Sequence, residues 1–434
     1  MKARLLAAAM GAATLLGGGN AFAADLGGNC CADLEERIAE LEATTARKGN
    51  RKVSLTITGW VSSQLYWFDD GAESNIYVVD NNNDLSSNVK FTGTAQISPG
   101  WKAGYSLWIY TNGPSSLTAN ADWDGNAGRG WGLNAENSYW FIQSDTLGKL
   151  SVGKQSLAAD NAALGTDFSG TLFPANSVTF DGGALAVNIN GVPTGAAWLN
   201  AAFWCEHAGV GIGNDCAGGR LNGVRYDTPT FAGFTLGASW GEDDYWDVAL
   251  RYSGEFSGFK MAFATAYSES TDPDILATGA NTNDNQYFQV GGMIKHLASG
   301  LWVHGTYGKN FIDDVPNNAP HPDITGWYLK AGWTTRFSAL GNTHFYGEYG
   351  ENKDGFRNDQ ACGSILGDGC INGSQITSSN ATRYGVGVVQ EIDAAAMSLW
   401  AKWRHHELDG TLANQTTFDA DSVDMFLAGA VIFY

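Results

Sequence analysis

The chain has 434 residues, enough for two or three ordinary domains, and carries a formal net charge of −20 at neutral pH. That balance leaves no basic stripe to meet phosphates, which argues against a nucleic-acid partner. A content of 56 Gly, 16 Trp, 16 Tyr and 21 Phe against nine Pro and six Met, with mean hydropathy −0.18, describes a Gly- and aromatic-rich β protein whose apolar and polar residues alternate.

Met1-Lys2-Ala3-Arg4, an apolar run from Leu5 to Leu16 and the small-residue site Ala21-Phe22-Ala23 predict a secretory signal peptide over 1–23, cut after Ala23. The run is too short for a spanning helix, which needs about 20 residues, and no later stretch approaches that length. A periplasmic segment, 24–52, follows. Within it Asp33 to Ala46 reads as a short helix with a seam of Leu34, Ile38, Leu41 and Thr45. Two readings stand: a coiled-coil-like seam that joins copies of the chain, or an amphipathic helix packed on its own domain, because coiled-coil signals need about three to four heptads.

Six cysteines in an exported chain predict disulfides. Proximity pairs Cys205 with Cys216 and Cys362 with Cys370, each closing a small loop worth about 2–3 kcal/mol in the chain-entropy model. The spacings match no zinc module, and no metal or other cofactor is expected.

From Val53 the period becomes two. Val53, Leu55, Ile57, Val61, Leu65 and Trp67 share one face, and Ser54, Thr56, Thr58, Ser62 and Gln64 the other. Val89, Phe91, Ala95 and Ile97 then alternate with Lys90, Thr92, Thr94 and Gln96, turn at Ser98-Pro99-Gly100, and return through Trp101, Ala103, Tyr105, Leu107 and Ile109. A spanning β-strand needs about 9–11 residues, apolar outward and polar inward.

Connection lengths alternate as well. Short turns fall at Ser98–Gly100, Thr146–Gly148, Thr230–Ala232, Phe256–Gly258, Ala298–Gly300, Phe337–Gly341 and Asp393–Ala395. Longer polar stretches separate them: Asp69–Ser87, Thr111–Glu136, Ser156–Gly219, Ser270–Asp284, Phe311–Asp323, Glu351–Ala381 and Glu407–Asp421, with Glu242–Asp244 as the short exception. Segregated turns and loops predict an all-β, 16-stranded antiparallel transmembrane β-barrel over 53–434. The stretch from Ser156 to Gly219 is the third long loop, too long for an ordinary connection. It shows no lasting helical or strand period, holds Asp160, Asp167, Asp181, Glu206 and Asp215, and contains no Lys or Arg. It is expected to fold into what the strands enclose.

The chain ends Phe426-Leu427-Ala428-Gly429-Ala430-Val431-Ile432-Phe433-Tyr434, with alternate residues apolar up to a terminal aromatic. Together with Leu147-Gly148-Lys149-Leu150-Ser151-Val152-Gly153-Lys154-Gln155 before the long loop and Asn222-Gly223-Val224-Arg225-Tyr226-Asp227-Thr228-Pro229-Thr230 after it, this resembles the general porins of Gram-negative bacteria, most of all the alphaproteobacterial family. The terminal residue there is most often Phe, and Lys154 stands where such porins commonly have Arg. The resemblance implies a homotrimer in the cell outer membrane, in contact with its lipid and lipopolysaccharide. It also implies an inward-folded third loop and passive diffusion of small hydrophilic solutes and ions.

Such a channel selects by size and by the field at its constriction. The loop acids Asp160, Asp167, Asp181, Glu206 and Asp215 are candidates for one side. Strand parity offers Arg225, Arg251, Lys330, Arg383, Lys402 and Arg404 for the wall, because an Arg or Lys facing lipid at mid-depth costs about 2–4 kcal/mol. Gly237-Ala238-Ser239-Trp240-Gly241 fits the G-x-S-x-G pattern but sits in alternating strand sequence rather than at a strand–turn–helix, and no enzyme is expected. The alternatives are a channel selective for sugars or organic acids, with Phe168, Phe173, Trp198 and Trp204 as an aromatic ladder, and a surface β protein that binds glycans.

Overall fold

A period-two sequence with apolar residues on one face and polar residues on the other closes, in the computed structural model, into a barrel of sixteen antiparallel wall strands. The structure describes residues 52–81, 85–122, 132–177, 181–204, 220–242, 244–271, 285–312, 322–357, 362 and 369–434. The strands are β1 (Thr56–Asp69), β2 (Asn88–Ser98), β3 (Trp101–Asn112), β4 (Gly132–Ser144), β5 (Gly148–Ser156), β6 (Arg220–Asp227), β7 (Phe234–Gly241) and β8 (Tyr245–Phe256). They continue as β9 (Phe259–Ser270), β10 (Asn285–His296), β11 (Leu301–Ile312), β12 (Ile324–Thr335), β13 (Thr343–Lys353), β14 (Ser374–Ile392), β15 (Met397–Leu412) and β16 (Val423–Phe433).

Each strand pairs with the next, and β16 returns to β1 in register from Trp60↔Phe433 to Asp69↔Asp424. Tyr434 completes the seam, its backbone N–H and C=O exchanging 3.1 Å hydrogen bonds with Gly59. Closure leaves no free edge, which in hydrocarbon would strand backbone donors and acceptors. The two faces divide as the alternation predicts. Val61 and Phe426 are each 54% exposed outward, while Ser62 and Gln64 are 2% exposed inward. An apolar outside around a polar inside reverses the arrangement of a water-soluble sheet and suits a wall between lipid and water.

The short turns and the tight connection between β7 and β8 fall where the sequence puts them. Several strands run further than expected at the long-loop end. Ser74–Val79, inside the first expected loop, pairs with the upper half of β1. β14 begins at Ser374, and β15 continues to Leu412, where Thr417–Asp419 pairs back onto it. The inward residues of these extensions, Val79, Ile376, Leu408 and Leu412, pack in an apolar cluster with the third loop, so the apolar-out, polar-in alternation does not mark them.

The third loop also holds regular structure: a single 3-10 turn at Leu164–Thr166, a hairpin of Ala186–Ile189 with Val192–Ala197, and a helix at Trp198–Ala202. Elements this short cannot show a period. The hairpin and helix pack inside the barrel against β1, β15 and β16 in one cluster with Tyr66, Phe68, Leu408 and Met425. Burying Leu185 and Phe203 there contributes about 1.5–3 kcal/mol each.

Cys362 and Cys370 form a disulfide. The expected signal peptide, the helix Asp33–Ala46, the Cys205–Cys216 pair, and Glu206 and Asp215 lie outside the described residues.

Candidate functional site

The third loop leaves β5 at Ser156 and lies along the inner wall, and polar side chains from successive strands hold its backbone in order. The Ala158 N–H donates to Ser239 Oγ (2.7 Å), Ala159 N–H to Asp247 Oδ2 (2.7 Å) and Ala163 N–H to Gln289 Oε1 (2.8 Å). Gln289 Nε2 in turn donates to Ala159 O (2.9 Å). Thr166 Oγ1 lies 3.1 Å from His304 Nε2. At Gly291 a Cβ would sit 2.6 Å from the Ala163 carbonyl oxygen, so the absent side chain is what lets the loop press against β10. Gly170, at φ +86°, makes a similar close approach to the His344 ring.

All six wall cations grip this loop. Arg225 Nη1 donates to Ser156 O and Leu157 O at 3.0 Å, and Arg251 Nη2 to Ala158 O at 2.5 Å. Lys330 Nζ reaches Ala175 O (2.6 Å), Arg383 Nη2 reaches Ser177 O (2.8 Å) and Lys402 Nζ reaches Pro174 O (2.7 Å). Arg404 bonds the loop through Asp181, Nη1 to Oδ2 at 2.7 Å, while its Nε and Nη2 fork onto Glu348. Charge-assisted bonds of this kind are roughly twice as strong as neutral ones.

The loop acids meet those cations directly. Asp167 pairs with Lys330 at 2.7 Å, and Asp181 with Lys402 at 2.5 Å; in both pairs the side chains are 0% exposed. Asp181 also accepts from Ser116 Oγ (2.7 Å). Asp160 pairs with Arg220, which also reaches Glu136 at 3.4 Å. Burial alone would raise the Asp167 carboxyl, but Lys330, His304 and the bonds from Lys330 and Ser169 outweigh it and hold it at about 2. Burial likewise opposes ionisation of Asp181, and Lys402 and Arg404 hold that carboxyl below its ordinary range. The structure therefore brings Asp167 onto Lys330, and Asp181 onto Lys402 and Arg404, where opposite charges cancel, while Arg225, Arg251 and Arg383 hold loop carbonyls.

Sequence reasoning missed the neutral and acidic partners of this grip. Ser239 was met only as part of a hydrolase-like motif; it lies mid-strand in β7 and donates to Asp247. Asp247, Gln289, His304 and Glu348 share the inward parity of the cations, and that parity was the available signal. The four loop aromatics form no single row. Phe173 packs against Trp60 and Phe433, each at 5.5 Å, and Trp198 against Phe203 and His406. Phe168 lies under Lys260 and Trp204 under Arg357. Lys154 takes the outward parity on β5 and donates to Ala135 O at 2.9 Å.

A family described as Gram-negative porin matches residues 7–416. Among solved structures, the anion-selective porin from Comamonas acidovorans is 16% identical, with a TM-score of 0.55, covering 88% of this chain and 100% of its own. OmpT of Vibrio cholerae, in-vitro folded and in its trimer form, is 14% identical with a TM-score of 0.50, covering 88% of this chain and 99% of its own. None of the curated proteins matches. Matched over nearly its whole length and closed into sixteen antiparallel strands, the chain belongs to the Gram-negative porin family and is an outer-membrane channel.

Proposed function

We propose that the channel passes small hydrophilic solutes and ions by passive diffusion, selecting by size and by the field at its narrowest part, without covalent chemistry. The observation that carries this is the clamped third loop. It fills one side of the lumen with contacts from β6 to β16, while Lys90 of β2, Lys102 of β3 and Lys149 of β5 stay half-exposed. A loop fixed by paired charges narrows a water-filled barrel without closing it. The candidate acids Asp160, Asp167 and Asp181 and the six cations then set the lumen's width by holding the loop, and Glu206 and Asp215 belong to the same loop.

In this reading the mature chain begins after Ala23, carries a periplasmic segment to residue 52, and assembles as a homotrimer among outer-membrane lipid and lipopolysaccharide. The trimer form of the Vibrio cholerae protein supports the assembly, and the exposed apolar band supports the lipid contact. Detergent-purified protein added to a planar lipid bilayer should give large, non-saturating conductance steps in groups of three. Silence from folded protein would overturn the channel reading. Saturation by one sugar or organic acid would replace diffusion with selective transport.

A further inference from the structure

The inward lysines outside the loop's buried seat carry a different charge pattern. Register puts Lys102, Gln143, Lys149 and Asp227 opposite one another on β3 to β6, so they form one inward row. Lys90 stands higher on β2 as the partner of Trp108. Lys260 and Lys295 are partners on β9 and β10. All five lysines are half-buried, whereas Lys330 and Arg404 in the loop's seat are 0% exposed.

Among the described residues none of these five lysines takes part in an ion pair. Aromatic rings position several of them instead. Lys90 lies 5.4 Å over Trp108, Lys149 4.7 Å over Phe141, and Lys260 4.6 Å over Phe168 of the loop. Lys295 Nζ donates to Thr334 Oγ1 at 2.9 Å. A ring face holds an ammonium group without neutralising it. The carboxylates nearby are mostly engaged: Asp227 by Arg225 at 2.8 Å, and Glu391 by His344 at 3.2 Å. Glu255 stands opposite Lys260 in register beside the turn. Lys149 sits within electrostatic reach of Asp227, Arg225, Lys90 and Lys102 together.

We infer that this lysine sector makes the pore selective for small anions, against the sign of the chain's net charge of −20. The inference rests on the channel reading and adds its substrate class. Charges lining a narrow low-dielectric passage concentrate counter-ions within it. Acids on the outer loops act through salt water and are screened beyond about 8–10 Å at physiological ionic strength.

The test is the reversal potential of reconstituted channels across a KCl gradient, for the wild type and for Lys90→Glu/Lys149→Glu. The wild type should reverse on the chloride side, and the double variant should lower the chloride-to-potassium permeability ratio on the order of tenfold. Succinic anhydride applied to reconstituted wild-type channels turns accessible lysines anionic without any folding step, and should move the ratio the same way. Wild-type reversal on the potassium side, or a ratio unmoved by both treatments, would overturn the inference while leaving the channel intact. Absence of any wild-type conductance would overturn both.

Discussion

Two sectors of one lumen use the same residue types for opposite ends. In the loop's seat Lys330, Lys402 and Arg404 are dry and meet loop carboxylates at 2.5–2.7 Å, where opposite charges cancel. On β2 and β5, Lys90 and Lys149 are half-exposed and lie over aromatic rings rather than against carboxylates. A cation's role in this barrel is therefore set by its partner and its access to water, and both facing the lumen is common ground. The first sector is a latch that fixes a width, and the second provides a field.

The sharpest way to break that contrast is to remove the acid that two latch cations share. Asp181→Asn leaves Lys402 without its ion-pair partner and Arg404 paired with Glu348 alone. Unpairing a buried charge costs about 3–5 kcal/mol, and the loss should fall on the loop's seat rather than on the wall ladder. Protease added to the folded channel should then cut between residues 157 and 204, and single-channel current should become noisy. A quiet current and an uncut loop would mean that the backbone grips alone hold the loop.

A second variant separates charge from shape. In Gly291→Val the added side chain collides with the Ala163 carbonyl without touching any ion pair, a steric misfit of about 1–3 kcal/mol. The start of the loop should shift while the Asp181 end stays seated. Conductance should change, whereas the anion preference assigned to the lysine sector should keep its sign. Wild-type conductance would show that the loop yields at Ala163 without consequence for the passage.

How much of this was legible in the sequence follows from the range of each interaction. The wall was legible because lipid on one side and water on the other write a period of two, as Val61 against Ser62 shows. Parity also read Lys330, Arg383, Lys402 and Arg404 as inward. Their role was not legible, because the partners lie far off in the chain: Asp167 is 163 residues from Lys330, and Asp181 is 223 from Arg404. No local pattern encodes such contacts. The alternation had equally placed Lys90 with Thr92 and Thr94 on the polar face. Only the loop's position distinguishes the cations it covers from those it leaves wet.

The smallest expected effect comes from acid, and its sign follows from the latch. Asp167 is held at about 2 in the folded chain, below the ordinary carboxylate value near 3.9, and Asp181 is lowered too. A group with a depressed folded value contributes stability that is fully present above its unfolded value and is lost as pH falls through the folded one. Between about pH 7 and pH 5 Asp167 and Asp181 stay ionised, so their share of the loop's resistance to protease should be unchanged. Resistance should fall progressively from about pH 4 towards pH 2, as protons replace Lys330 and Lys402 on the two acids. In Asp181→Asn that acid-dependent loss should shrink, because one of the two carboxylates is already gone. A loop that loosens near pH 6 would instead place its hold in groups other than these acids, and the division of the lumen into latch and field would have to be redrawn.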